Sequence, residues 1–217
     1  MPYIRHTIVS MDPGKKDALL SRLPELLDGF QSTAGLRGLR VLEAAGNRLV
    51  STASYEDKQA ADAGAAKASS LLGGLSEFLT EEPSVREGEV AWRYLAEGVD
   101  NRPIMPGYVR HTGVGFDPSK FDAMVAHADS LVDTFKSIDG LRRVLVMPIT
   151  GGKVSPRLQQ EIGNLENRMI VTAGYDSRAQ AEAAQEKTKA AWAGLAEFLT
   201  GEPRVLDGDF VYGFQKQ

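Results

Sequence analysis

The sequence predicts an α+β protein made of two tandem copies of one unit, each with the order strand, helix, strand, strand, helix, strand. The main observation is an internal repeat. Residues 3–7 (Tyr-Ile-Arg-His-Thr) return 105 residues later as residues 108–112 (Tyr-Val-Arg-His-Thr), and an Asp-Pro pair follows each copy. Each copy is about 100 residues long, which is the size of a domain and too long for one solenoid unit. The chain is therefore predicted to be a duplication.

The elements of the first copy follow from local patterns. Residues 3–11 alternate between two faces and are rich in β-branched and aromatic types, which predicts a strand. Asp12 and Pro13 suit the cap and first turn of a helix whose apolar residues keep 3.6-residue spacing. Two strands joined at residues 45–47, an Ala-rich helix and a closing strand over residues 85–95 complete the unit. This order is the ferredoxin-like, or split βαβ, arrangement.

The domain organisation follows from the repeat. We expect repeat 1 over residues 1–95, a linker over residues 96–107 and repeat 2 over residues 108–217. Each ferredoxin-like sheet would carry helices on one face only, so its other face needs a partner. A linker of about a dozen residues reaches roughly 40 Å when extended, which is enough to place two sheets face to face. The sequence predicts an intramolecular pseudo-dimer and leaves further self-association open.

Repeat 2 carries an insertion. The offset between the copies rises from 105 to 120 residues between the two middle strands, which places the extra segment at about residues 149–166. Long loops in compact domains are often lids or interaction arms. A tolerated surface excursion is an equally good interpretation, because the entropic cost of a longer loop grows slowly.

Composition excludes several classes of function. The formal charge is −4 with both signs interspersed, so neither a nucleic-acid stripe nor a polybasic membrane segment is expected. The chain has no cysteine, which excludes disulfides, thiolate metal sites and a Cys nucleophile. It also has no apolar run of roughly 20 residues and no pattern of a secretory signal, so a cytoplasmic protein is expected. A small molecule or a protein remains as the partner.

The chain resembles a known family in several segments. These are the opening strand with its Arg-His pair, the Asp-Pro helix start, and the Glu-Phe-Leu-Thr segments at residues 77–80 and 197–200. Together they resemble the dimeric α/β-barrel superfamily, particularly antibiotic biosynthesis monooxygenase-like proteins, over nearly the whole chain. The resemblance implies a dimeric α/β barrel, here formed within one chain. The superfamily includes cofactor-free monooxygenases of quinol-like aromatics, haem-degrading enzymes, stress-response proteins and members without known activity.

The same resemblance bears on haem. Haem-degrading members ligate iron through a histidine of the second long helix, and the three histidines of this chain, His6, His111 and His127, lie elsewhere in the predicted elements. Neither haem nor another metal or cofactor is therefore expected.

The first candidate site residue is His111. Histidine can act as a base near neutral pH, and His111 falls on a strand that is central in this fold. Gly113 and Gly115 follow it on the same face, where repeat 1 has Ile8 and Ser10, so a pocket is expected beside His111. The alternative is a hydrogen-bonded structural histidine, with the glycines marking a bulge.

Arg110 and Tyr108 alternate onto the opposite face of that strand. A cavity there could use the guanidinium to hold an enolate oxygen, with the Tyr108 phenol as a donor. The alternative is a structural ion pair between Arg110 and a nearby carboxylate. Only one face of the strand can line a given cavity.

Trp192 and Tyr212 are the candidate ring-binding residues. Trp192 lies on the second helix of repeat 2 where repeat 1 has Leu72, and Tyr212 lies on the closing strand where repeat 1 has Trp92. The closing strand neighbours the opening strand, so Tyr212 can approach His111 or Arg110, depending on the strand register. Aromatic walls suit a planar ligand, although core packing would explain both residues as well.

Two functional hypotheses follow. The first is a small-molecule binding protein acting on an aromatic ligand in repeat 2, as a cofactor-free monooxygenase of the kind that the resemblance implies. In it, His111 or Arg110 would assist deprotonation or hold the enolate, and Trp192 and Tyr212 would line the ring site. The second is a non-catalytic stress-response or interaction protein without a working site. The sequence contains no nucleophile elbow, metal-binding helix or dinucleotide-binding motif.

Overall fold

A computed structural model describes residues 1–98 and 106–216. Most of the predicted linker, residues 99–105, lies outside this described part. Repeat 1 contains β1 (Tyr3–Ser10), α1 (Lys16–Asp28), β2 (Leu36–Ala44), β3 (Arg48–Tyr55), α2 (Lys58–Gly73), β4 (Ser84–Glu89) and β5 (Trp92–Leu95). Repeat 2 contains β6 (Tyr108–Phe116), α3 (Phe121–Ser130), α4 (Val132–Lys136), β7 (Leu141–Pro148), β8 (Gly151–Lys153), α5 (Pro156–Ile162), β9 (Arg168–Tyr175), α6 (Arg178–Ala183), α7 (Gln185–Gly194) and β10 (Leu199–Gln215).

The predicted ferredoxin-like fold class is confirmed. The strands are ordered β2-β3-β1-β4 in repeat 1 and β7-β9-β6-β10 in repeat 2, and neighbouring strands are antiparallel. The repeat extends to backbone conformation. Asn47 and Asn167, which precede β3 and β9, both have left-handed φ angles, of 55° and 52°. Asparagine adopts this region more readily than most residues with a side chain.

Acidic and hydroxyl side chains fix where the helices begin. The Asp12 carboxylate accepts a hydrogen bond from the Gly14 N–H at 2.8 Å, before the 3₁₀ turn that leads into α1. Asp57 caps α2 by accepting from the Ala60 N–H at 2.8 Å. Each cap satisfies a backbone donor that the helix leaves unpaired at its first turn.

No helix of the described residues is both long and apolar enough to span a bilayer.

The closing strand of each repeat joins both sheets. β10 pairs with β6 as far as Asp209 and with β2 from Gly208 onward. In repeat 1 the corresponding segment is divided into β4, which pairs with β1, and β5, which pairs with β7. At the division the Ala91 N–H donates to the Val146 carbonyl at 2.9 Å. The described strands form one ten-stranded sheet. It closes into a barrel because β4 and β5 follow each other in the chain and pair with opposite ends of the strand order, β4 with β1 and β5 with β7.

The two faces of the sheet have different surroundings. Val9 of β1 packs against Leu19 of α1 on the helix side. Its neighbour Ile8 packs instead with Val50 and Val109 inside the barrel. Because the interior cluster draws on both repeats, the sheet faces that lack helices bury each other, as the sequence predicts.

The insertion in repeat 2 folds over one end of the barrel. β8 extends the sheet by pairing with β4, and the Ser155 hydroxyl caps α5 by accepting from the Leu158 N–H at 3.3 Å. Leu158 is buried in the same interior cluster as Leu42. An ion pair of 2.7 Å between Arg48 and Glu161 ties α5 to repeat 1. The insertion therefore packs as a plug at this end of the barrel, with a buried side chain that a loose surface excursion would not have.

This packing predicts a stability effect. Leu158→Ala is expected to lower the free energy of unfolding by about 2–5 kcal/mol, because it opens a cavity among buried apolar side chains. Ile162→Ala, at a partly buried position of the same helix, is the matched control and should cost less. Urea unfolding followed by circular dichroism measures both. Equal small losses in the two variants would contradict the plug.

Candidate functional site

The predicted catalytic residues lie on opposite sides of the sheet. Arg110 and Thr112 of β6 face the helices of repeat 2, whereas His111 faces the barrel interior. The alternation of side chains along a strand requires this separation. Arg110 and His111 therefore cannot act on one ligand atom, and each belongs to a separate cavity.

The first of these, the helix-side cavity of repeat 2, lies between the sheet and helices α3 and α7. Its volume is about 70 Å³. The walls are mostly apolar, and the candidates Arg110 and Trp192 both line them. The remaining walls include Trp92, Met124, Phe135, Met169, Val171 and Tyr175. Repeat 1 has an equivalent cavity of about 80 Å³, lined by Arg5 and Tyr55.

The arginines at these two equivalent positions are held differently. Arg5 donates to the Glu87 carboxylate at 2.6 Å and to the Ala61 carbonyl at 2.8 Å, and the Arg5 and Glu87 side chains are 10% and 13% exposed. Arg110 donates to the Asp207 carboxylate at 3.3 Å, and these side chains are 22% and 29% exposed. Aspartate is one methylene shorter than glutamate, so the carboxylate at the position equivalent to Glu87 reaches Arg110 less closely.

Two tyrosines lie near Arg110. Tyr175 lines the cavity, and its hydroxyl has no hydrogen-bond partner among the described residues. Burial raises the pKa of Tyr175, and the positive charge of Arg110 acts in the opposite direction. Burial also raises the pKa of Tyr108 to about 12, with Asp207 adding to the shift. The Arg178 guanidinium lies 4.7 Å from the centre of the Tyr108 ring and thereby covers it. Both phenols keep their protons at neutral pH and can act as donors.

Tyr212 does not approach His111 or Arg110. It lies on the half of β10 that pairs with β2, beyond a bulge that follows Phe210. Its hydroxyl donates to Asp28 of α1 at 2.6 Å. The expectation was wrong because the second half of the closing strand crosses to the other repeat. The closing strand of repeat 1 crosses in the same way. Trp92 therefore packs beside Phe135 in repeat 2 and takes the place expected for Tyr212.

The two barrel histidines meet in the interior. The rings of His6 and His111 are 4.7 Å apart with an edge-to-face angle of 71°. The Nδ1 atom of each lies 2.9 Å from a threonine hydroxyl, Thr52 for His6 and Thr172 for His111. The Nε2 atoms have no hydrogen-bond partner among the described residues. These bonds match the structural interpretation of the histidines.

Burial keeps both rings neutral. It is the main reason that the pKa of His111 falls to about 3, with the nearby charge of Arg86 acting in the same direction and the charge of Asp207 opposing it. Burial also lowers the pKa of His6 well below the usual value, with His111 and Arg86 acting in the same direction. A charged imidazole inside the barrel would lose its hydration, and the charge of Asp207 does not compensate His111 for this loss, so the neutral ring is favoured.

The glycines that follow His111 do not open a pocket beside its ring. A Cβ atom on Gly115 would lie 2.4 Å from the Thr200 hydroxyl, and one on Gly113 would lie 3.8 Å from a nitrogen of the Arg86 guanidinium. Close approach of a neighbouring strand fills the first site and the long Arg86 side chain reaches the second. This part of the expectation was wrong, because sequence spacing does not show what enters from the facing strands.

A cavity does exist on the other side of His111. This barrel-mouth cavity has a volume of about 170 Å³ and draws on both repeats. Its charged residues are arginines. The residues that line it include Ile4, Arg37, Arg40, Leu42, Arg93, Val109, His111, Arg143, Leu145 and Thr172. None of the described lining residues is an aspartate or a glutamate.

No group of three or more potential metal ligands occurs among the described residues.

His127 lies on α3 beside the Phe198 ring, with ring centres 5.8 Å apart. It therefore belongs to the packing of α3 against the segment that precedes β10.

Sequence reasoning missed several residues of these cavities. The offset of 120 residues pairs Tyr55 with Tyr175 and Glu87 with Asp207, and this signal could have identified both pairs. Arg40 is different, because the equivalent residue in repeat 2 is Leu145. Its role depends on the way the sheets face each other, which no local pattern records.

Comparison with known proteins identifies the fold. No protein-family model and no curated protein matches the sequence. Among solved structures, an anthrone oxidase-like protein is 18% identical with a TM-score of 0.69, covering 98% of this chain and 92% of its own. A candidate monooxygenase from Fusobacterium nucleatum is 11% identical with a TM-score of 0.71, covering 99% and 94%.

A third structure carries the name of the family that the sequence resembles. It is an uncharacterised ferredoxin-fold protein related to antibiotic biosynthesis monooxygenases from Listeria monocytogenes, 9% identical with a TM-score of 0.50, covering 100% of this chain and 96% of its own. At these identities the likeness establishes the fold alone. It confirms the dimeric α/β-barrel architecture that the resemblance implied.

Proposed function

We propose that this protein is a cofactor-independent oxygenase that takes a small enolisable aromatic compound into the helix-side cavity of repeat 2. The observation that carries the proposal is the contrast between the two equivalent arginines. Arg5 is held closely by Glu87 and a backbone carbonyl, whereas Arg110 makes a longer and more exposed contact with Asp207. A ligand oxygen can replace that contact at low cost, so repeat 2 is the better candidate for a working site.

Four residues of the cavity wall and the adjacent Asp207 have defined tasks in this proposal. The Arg110 guanidinium and the Tyr175 hydroxyl donate hydrogen bonds to the ligand oxygen that becomes an enolate. Donors already aimed at a developing oxyanion stabilise the transition state because they need little reorganisation during the reaction. Trp92 and Trp192 supply aromatic walls for the ring. When the ligand oxygen takes the place of Asp207, that carboxylate is free to accept the proton removed from carbon.

The reaction balances with dioxygen as the oxidant. Loss of a proton from an activated CH₂ group gives a carbanion that is delocalised onto the enolate oxygen. The carbanion passes its electrons to dioxygen, and a C–O bond forms. Loss of water then converts the CH₂ group and one dioxygen molecule to a C=O group and one water molecule. The names of two of the similar structures, which refer to an anthrone oxidase and a monooxygenase, support this class of reaction.

The size of the cavity adds a requirement. A volume of about 70 Å³ is less than the roughly 150 Å³ of an engineered protein cavity that admits benzene. Trp192 is partly exposed on α7 where repeat 1 has the smaller Leu72. A ligand would therefore need the Trp192 side chain to rotate outward, so that its indole forms one wall of the widened cavity. Substituting Trp192→Leu should widen the cavity and admit larger aromatics.

Oxygen uptake tests the proposal. Wild-type protein should consume dioxygen above the non-enzymatic rate with at least one compound from a panel of anthrone and single-ring aromatic ketones that carry an activated CH₂ group. Arg110→Leu should lower kcat/KM by about 100-fold, the scale for losing one oxyanion donor. Arg40→Leu, inside the barrel, is the control and should retain the wild-type rate. Absence of uptake above the non-enzymatic rate across the panel would overturn the proposal.

One observation favours a non-catalytic protein instead. The helix-side cavities of the two repeats have similar small volumes, about 70 and about 80 Å³, as expected if both are simply packed cores. A thermal-shift screen with the same panel separates the two functions, because a ligand that binds the native state raises its apparent stability. No shift and no oxygen uptake would support the non-catalytic stress-response or interaction role.

A further inference from the structure

The barrel-mouth cavity has the chemistry of an anion site, and it is separate from the helix-side cavity. We propose that it binds a small organic carboxylate, with the carboxylate on Arg40 at the mouth and an apolar body directed toward His111. This assignment does not depend on the proposed oxygenase function, since the two cavities lie on opposite faces of the sheet.

The charge of the lining is one-sided. Four arginines, Arg37, Arg40, Arg93 and Arg143, contribute to it, and none of its described residues is acidic. Arg40 is partly buried, and it donates to the side-chain amide of Gln215 at 3.2 Å. Its Nε atom has no hydrogen-bond partner among the described residues. Buried charges are normally paired, so this guanidinium is set up to receive an anion.

The charge of Arg143 acts against the charged form of Arg40. Burial lowers the pKa of Arg40 to about 9, and the charge of Arg143 contributes to the shift. A bound carboxylate would offset this repulsion.

The two arginines at the mouth do not follow from the duplication, because neither has an arginine at the equivalent position of the other repeat. The repeat 2 residue equivalent to Arg40 is Leu145, and the repeat 1 residue equivalent to Arg143 is Gly38, so each sheet supplies one of these two arginines from a different position. Gly174, which pairs with Arg143, leaves room for it, because a Cβ atom there would lie 3.3 Å from the Arg143 Cγ. Two independent departures from the repeat thus place both cations at one mouth.

The volume and the apolar lining of the cavity indicate what the rest of the ligand, beyond its carboxylate, should be. Apart from the arginines, the lining combines the apolar side chains of Ile4, Leu42, Val109 and Leu145 with the hydroxyls of Thr52, Ser54 and Thr172, and His111 is neutral. A volume of about 170 Å³ suits a body of about one ring, by comparison with the roughly 150 Å³ cavity that holds benzene. A planar guanidinium matches a carboxylate through two parallel hydrogen bonds. Inorganic oxyanions could bind the arginines but would leave the apolar part of the cavity empty.

Calorimetric titration with benzoate tests the assignment, with benzamide as the neutral isostere and inorganic phosphate as the oxyanion without an apolar body. Wild-type protein should bind benzoate saturably and neither of the others measurably. Arg40→Leu should weaken benzoate binding at least tenfold, the scale of one charge-assisted hydrogen bond. The substitution places the residue of the equivalent repeat 2 position in repeat 1, so folding should be retained. Arg110→Leu is the matched control and should bind benzoate like wild type.

Several results would overturn the proposal. They are the absence of saturable benzoate binding, phosphate binding at least as tight, or a loss of affinity in Arg110→Leu in place of Arg40→Leu. Amide chemical shifts of the wild-type protein decide the location without any substitution. Benzoate should move the signals of Thr52 and Thr172. Movement confined to Thr112 and Trp192 would place the compound in the helix-side cavity and contradict the assignment.

Discussion

The free energy of unfolding is expected to fall by about 3 kcal/mol between pH 6.5 and pH 5, because the buried pair His6 and His111 has lowered pKa values in the folded state. As the pH falls through this window, the unfolded chain binds protons on these rings and the folded protein does not, so acid favours unfolding. Each histidine contributes up to about 1.4 kcal/mol per pH unit. For His111 the decline continues toward pH 3, and well above pH 6.5 the full stability is present.

Urea unfolding at a series of pH values measures this effect. Because glutamine cannot titrate, His111→Gln should remove about half of the slope between pH 6.5 and pH 5, whatever it does to stability at pH 7.5. The double variant with His6→Gln should remove nearly all of it. A slope that is the same in wild type and in both variants would show that other groups cause the acid sensitivity, and would contradict the neutral interior pair.

Glu87→Ala is expected to cost about 3–5 kcal/mol, whereas the equivalent Asp207→Ala should cost about 1 kcal/mol. Removing Glu87 leaves the Arg5 guanidinium buried with the Ala61 carbonyl and a carboxylate of Asp62 3.8 Å away. Removing one partner of a buried ion pair lowers the free energy of unfolding far more than removing one partner of an exposed pair. Arg110 is more exposed than Arg5 and makes a longer contact, so it can be rehydrated.

Thermal and chemical unfolding of the two alanine variants at pH 7.5 provides the comparison. Since the two acidic residues are equivalent in the repeat, each variant is the control for the other. Equal losses would show that Arg110 is held as firmly as Arg5, and repeat 2 would then have no advantage as the working half. A smaller loss for Asp207→Ala supports an arginine that is available to a ligand.

The sequence by itself determined the duplication, the order of elements and the position of the insertion. These features are carried by local patterns that occur twice, such as the opening strands, the Asp-Pro helix starts and the Glu-Phe-Leu-Thr segments. Alternation along the opening strand of repeat 2 also assigns Arg110 and His111 to opposite faces, because successive side chains of a strand point opposite ways.

Only the tertiary structure decided which residues share a cavity. Trp92 packs in repeat 2 and Tyr212 packs in repeat 1, because the closing strands cross from one sheet to the other. Pairing between strands that are distant in sequence produces no local sequence pattern. Arg86 reaches the space beside Gly113 from a facing strand, and Arg40 and Arg143 meet at the mouth although they lie in different repeats. Local sequence specifies elements and faces. The side chains that meet inside a closed barrel depend on strand register and on the approach of two sheets, which are properties of the assembled fold.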